Sequence, residues 1–120
     1  MTIYELVGRL GLSVRNKGCL DTIIKGCYAS DMLSDVLANG KEGNLWITRQ
    51  THPNIAAVAA IKGLSGIIVT GDKEIDPETL SKAESEGIAV MSTRLQTCET
   101  AGIVYNLFLA GEGGAGVSGA

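Results

Sequence analysis

From residue 44 onward the chain alternates short apolar runs with longer helical ones, and that alternation constrains the fold more than any other feature. Asn44 to Thr48 (NLWIT) reads as a strand, Asn54 to Lys62 as a helix, and Gly66 to Thr70 (GIIVT) as a second strand. Pro77 to Glu86 follows as a helix, with Asp76 as its N-cap and Pro77 at the first helical position. Gly87 ends it and Ile88 to Met91 is a strand. The last helix runs from about Leu95 to Leu109, with Thr93 and Gln96 at capping-box spacing. A strand followed by a helix and another strand closes most simply as a parallel, right-handed βαβ unit. The expected class is therefore α/β, a mostly parallel sheet flanked by helices.

The first 43 residues are less regular. Thr2 to Gly11 reads as a short helix: Thr2 and Glu5 have capping-box spacing, Ile3, Leu6, Val7 and Leu10 form one apolar face, and Gly11 stops it. Leu12 to Val14 alternates as a strand does and ends at Asn16-Lys17-Gly18; Ile23 to Ala29 is a second extended piece. Met32 to Leu37 reads as a helix opened by Ser30 or Asp31 and closed near Asn39-Gly40. The chain ends in GEGGAGVSGA. That stretch lacks the lysine and the following helix of a phosphate-binding P-loop, so it reads as a flexible tail. The expected organisation is one domain over 1–110 and a glycine-rich tail over 111–120.

Composition sets the function classes aside. A length of 120 residues with 45% hydrophobic and 19% charged residues suits one globular core. A net charge of −3 without a basic stripe argues against nucleic acid as a partner. No apolar run is long enough to span a membrane, and the amino end carries Glu5 and Arg9 within its apolar pattern, so the expected location is the cytoplasm. The three cysteines, Cys19, Cys27 and Cys98, form no CxxC pair and match no metal-ligand spacing; they are expected to be buried, reduced thiols. No cofactor and no metal is expected.

Ligands of open parallel sheets bind beyond the carboxyl ends of the strands. The residues that the pattern sends there are Ser30 and Asp31; Thr48, Gln50, Thr51 and His52; Thr70, Gly71 and Asp72; and Ser92, Thr93 and Arg94. Several precede a helix start, where free N–H groups favour an anion. They could line a pocket for a small anionic, nucleotide-like ligand, or they could simply cap helices and face water as short loops do. His52, the lone histidine, precedes Pro53 and Asn54 and suits a turn into the helix; as a base it would need Asp31 or Asp35 brought close by the fold. Asp31 and Asp35 stand four apart, hence on one face of a short helix. Ile55 to Ile61 is apolar all round, so a neighbouring helix, residues 1–10, or a second subunit should cover its outer side; a homodimer is expected.

Four segments together resemble the DRTGG domain family: DMLSDVLAN (31–39), GNLWIT (43–48), THPNIAAVA (51–59) and ESEGIAVMST (84–93). The resemblance covers about residues 2–109, although the letters DRTGG themselves are absent. It implies a fold resembling the amino-terminal domain of HPr kinase/phosphorylase and a regulatory or oligomerising role. Family members occur attached to phosphotransacetylases and CBS-containing pyrophosphatases, or as short standalone proteins, some encoded near iron hydrogenases. No kinase activity is implied, since phosphoryl transfer needs a nucleotide-phosphate loop. The resemblance carries over no catalytic residues. The expectation is thus a non-enzymatic regulatory domain acting on a partner enzyme in trans, with Ser30, Asp31, Asp35, Thr51, His52, Asn54, Thr70, Thr93 and Arg94 as candidate ligand contacts. The alternatives are an accessory subunit of a redox or hydrogenase system and an enzyme using His52 with Asp31 or Asp35.

Overall fold

The computed structural model describes residues 1–111. Residues 112–120, most of the glycine-rich stretch expected to be a flexible tail, lie outside the described residues. The elements run in the order α1 (Ile3–Leu10), β1 (Ser13–Val14), β2 (Gly26–Ala29), α2 (Leu33–Asn39), β3 (Asn44–Thr48), α3 (Asn54–Lys62), β4 (Gly66–Val69), α4 (Pro77–Ser85), β5 (Ala89–Ser92) and α5 (Thr97–Gly111). The α/β class and the strand–helix alternation are as the sequence implies.

The five strands form one sheet in the spatial order β1-β5-β4-β3-β2. From β2 to β5 every neighbouring pair is parallel, in the plain order of the chain, while β1 pairs antiparallel with β5. Each parallel pair is joined by one helix. Since right-handed crossovers in one direction always place their helix on the same side, α2, α3 and α4 share one face of the sheet. The core residues divide accordingly. On that face Trp46, Ile67, Val69 and Val90 pack with Val36 of α2, Ile55, Val58 and Ala59 of α3, and Ala83 of α4. On the other face Leu45, Ile47, Ile68 and Met91 pack with Ile3 and Leu6 of α1 and Val104 of α5. Strand residues thus alternate between two buried faces, the pattern of a sheet covered on both sides.

This arrangement corrects one expectation about α3. Its flanks are covered by α2 and α4; residues 1–10 cannot cover it, because α1 lies across the sheet with α5. Of its apolar residues, Ile61 is the one that stays outside, 73% exposed.

Caps explain where the helices begin and end. Thr2 and Glu5 form both halves of the expected capping box, and Gly11 closes α1 in the left-handed region at φ 64°. Asp76 accepts the Glu78 N–H ahead of Pro77, as expected. Two other caps differ. The side chains of Ser30 and Asp31 do not open α2 by the usual rule: its N-cap is Met32, with no side-chain cap, and Asp31 bonds elsewhere. Thr93 and Gln96 form no capping box. Thr93 Oγ1 accepts the Leu95 N–H, and α5 begins two residues later than expected, where Glu99 accepts the Gln96 N–H.

The amino-terminal segment is fastened to β5 by a side chain imitating backbone. Asn16 donates from Nδ2 to the Ile88 carbonyl at 2.9 Å and accepts the Val90 N–H on Oδ1 at 2.9 Å. The chain at Gly18 then runs so close to β5 that a Cβ there would collide with the Ala89 backbone. The thiols also depart from expectation. All three are free, but Cys19 and Cys98 are exposed and only Cys27 is half-buried, its thiol pushed up in pKa by that burial. Among the described residues no helix is long and apolar enough to cross a membrane.

Candidate functional site

The carboxyl ends of β2, β3, β4 and β5 form one rim, and β1 joins it because its antiparallel pairing sets Ser13 opposite Ser92. The rim has two unlike halves. Over β2, β3 and β4 its polar groups bond to one another. Asp31 Oδ1 accepts the Thr48 hydroxyl at 2.9 Å and the Arg49 N–H at 2.8 Å, while Gln50 donates to the Asp31 carbonyl at 2.9 Å. Trp46 donates from its indole to the Ser30 carbonyl at 2.8 Å, and Ser30 Oγ accepts the Met32 N–H. Arg49 reaches over Gly71 to Gln96 Oε1 at 2.8 Å, where the missing Cβ of Gly71 leaves room for its guanidinium. Thr70, fully buried, shares a 2.7 Å hydroxyl contact with Thr97 at the start of α5.

Asp35 belongs to a separate cluster. Tyr28 Oη and Asn39 Nδ2 each donate to its Oδ1 at 2.8 Å. Hydrogen bonding from Ser30, Asn39 and Tyr28 holds its carboxyl below the usual carboxylate range, and the same carboxylate, chiefly through that hydrogen bond, pushes the Tyr28 phenol up. Asp31 and Asp35 are therefore no pair: Asp31 precedes the helix and turns to β3, whereas Asp35 turns to β2 and its own last turn.

His52 is exposed, and its Nδ1 accepts the Asn54 N–H at 3.1 Å while its carbonyl accepts the Ile55 N–H. It begins α3 much as an Asx residue would, and among the described residues no hydrogen bond joins it to Asp31 or Asp35. Thr51 takes part through its carbonyl, which accepts the Thr79 hydroxyl at 2.7 Å. Asn54 is exposed at the first position of α3. The N–H groups that begin α3 and α4 bond to these neighbours and to Asp76, so the anion-attracting donors expected there are already used.

Over β5 and β1 the rim opens into a cleft of about 310 Å³. It is lined by Gly11, Ser13, Arg15, Asp72, Ser92, Thr93 and Arg94, with Ser13 and Ser92 paired directly across the β1–β5 ladder. It lies where the chain changes sides, since α4 precedes β5 on one face and α5 follows it on the other. Asp72 holds a left-handed backbone, φ 56°, fixed by its N–H to the Thr93 carbonyl at 3.0 Å and by the Gly71 N–H to the Leu95 carbonyl at 2.8 Å. Of the nine nominated residues only Thr93 and Arg94 line this cleft. Sequence reasoning passed over Ser13 and Arg15. Their two-residue spacing put them on one side of an extended segment, but only the register of β1 against β5 shows which strand end they reach.

Comparison with known proteins gives a family match and a structural likeness. The model of a family described as the DRTGG domain matches residues 9–107. A crystal structure of the CBS and DRTGG domains of the regulatory region of Clostridium perfringens pyrophosphatase, complexed with its activator diadenosine tetraphosphate, superposes with a TM-score of 0.64. It is 19% identical and covers 84% of this chain and 44% of that one, so this chain spans under half the length of its solved neighbour. No curated protein matches.

Proposed function

The chain belongs to the DRTGG domain family, and from that premise we propose that it is a non-enzymatic regulatory domain that senses a small anionic ligand and acts on a partner enzyme in trans. The family match over residues 9–107 carries this reading. The solved neighbour supports it by analogy of fold, being part of the regulatory region of a pyrophosphatase crystallised with a nucleotide activator. The ligand contacts in this reading lie on the rim of strand ends, and the protein works as a homodimer. Ile61, exposed on an otherwise covered apolar helix, favours a second copy there. The enzyme reading gains nothing from the geometry: a general base needs an orienting partner, and the His52 ring nitrogen Nδ1 is committed to the Asn54 N–H.

Native mass spectrometry of the purified protein tests both parts at once. A dimer mass carrying a retained small molecule is the expected result. A bare monomer that also fails to gain mass when incubated with nucleotides would sink the reading.

A further inference from the structure

We propose that the cleft between β1 and the β5–α5 loop binds a phosphate ester, with Arg15 and Arg94 gripping the phosphate and Asp72 accepting a hydroxyl of the attached sugar or polyol. This rests on the ligand-sensing reading above and gives it a place and a chemical class. Four observations converge. The cleft, about 310 Å³, falls at the lower end of the range for small-molecule sites. Its two lining arginines, Arg15 just after β1 and Arg94 in the loop after β5, have no side-chain hydrogen-bond or ion-pair partner among the described residues, whereas the third arginine of the rim, Arg49, is held on Gln96. Two unpartnered arginines in one cleft suit the planar, bidentate recognition of a phosphate.

The hydroxyls of Ser13 and Ser92, also free of partners among the described residues, stand opposite one another in the β1–β5 ladder and add donors on the same side. Asp72 is the one carboxylate of the lining. Its left-handed backbone is pinned by two hydrogen bonds, so the chain maintains a strained residue at the cleft rather than relaxing it. Two cations and one anion leave a net positive cleft on a protein of net charge −3. A bare anion would leave Asp72 repelled; a phosphate carrying hydroxyls satisfies both signs.

Isothermal titration of the full chain with adenosine monophosphate, ribose 5-phosphate and inorganic phosphate tests this. At least one ester should bind more tightly than inorganic phosphate. Arg15→Ala and Arg94→Ala should each weaken it roughly tenfold, as expected for losing a charge-assisted contact. Arg49→Ala should stay within about twofold, as for an exposed side chain already occupied elsewhere. Preference for the nucleotide or for the sugar phosphate identifies the source of the ester. Binding that survives both cleft variants but falls with Arg49→Ala would place the ligand elsewhere on the rim, overturning this inference and sparing the sensing role. Equal binding of inorganic phosphate, or no binding of either ester, overturns it as well. A retained molecule without phosphorus in the native mass spectrum would do the same while leaving the regulatory reading intact.

Discussion

The two halves of the strand-end rim are built from the same kinds of residue and do different things. Over β2, β3 and β4, Asp31, Thr48, Arg49, Gln50 and Thr70 bond among themselves and to the starts of the next elements. Over β5 and β1, Arg15, Arg94 and Ser92 line a cleft, and their polar ends have no partner among the described residues. The difference teaches that polarity at a strand end says little by itself. A polar group spent on holding a loop is no longer available to a ligand, and the distinction lies in what surrounds each side chain. The closed half should therefore answer to mutation in stability and the open half in binding.

The largest effect is expected at Asp31. Removing its carboxylate in Asp31→Ala leaves the Thr48 hydroxyl, fully buried, without its acceptor and frees the Arg49 N–H. Loss of about 2 kcal/mol of stability follows from breaking bonds to a charged group, readable as a lower urea midpoint with an unchanged slope. A stability within experimental error of the parent would mean that the closed half is not closed by Asp31. Thr70→Val comes next. The substitution keeps shape but removes the hydroxyl between Thr97 and the Thr48 carbonyl, and about 1 kcal/mol should be lost. A stabilised variant would show that this buried contact contributes nothing.

How much of this was legible beforehand follows the range of the interaction concerned. Elements fixed by neighbours in sequence were readable: the Thr2–Glu5 capping box, Asp76 before Pro77, and the strand runs NLWIT and GIIVT. The same local rules misled where a distant partner outbid a near one. Asp31 has the sequence position of a helix cap, yet β3 lies alongside and offers it a hydroxyl and a backbone N–H. Gln96 has the spacing of a capping partner for Thr93, yet Arg49, far off in sequence, takes its side-chain oxygen. His52, singular in the sequence, proved to be spent on its own turn. Arg15 was passed over, because nothing local announces that a two-residue strand pairs antiparallel with the last strand of the sheet.

Asp35 sharpens the comparison from the flank of the closed half. Its folded pKa is depressed, so the stabilisation it provides is present above the carboxylate's unfolded value, about 3.9, and is lost as pH falls through the lower folded value. In Asp35→Asn the urea midpoint should consequently fall less steeply than the parent's between mildly acidic pH and the folded-state pKa. The residue is only half-buried, so the effect should be small and should shrink further with salt. Parallel pH profiles for parent and variant would show that the Ser30, Tyr28 and Asn39 contacts do not favour the charged form.

The smallest stability change belongs to the open half, and there smallness is the informative outcome. Arg15 and Arg94 are exposed and bond to nothing among the described residues through their side chains, so truncating either to alanine should move the unliganded protein's stability by less than about 0.5 kcal/mol. Removing one of two like charges facing a common cleft should even relieve some repulsion, so a slight gain, larger at low salt, is the expected sign. If either variant instead lost as much as Asp31→Ala, the guanidinium would be holding the cleft together, and the two halves of the rim would differ only in how tightly they are closed.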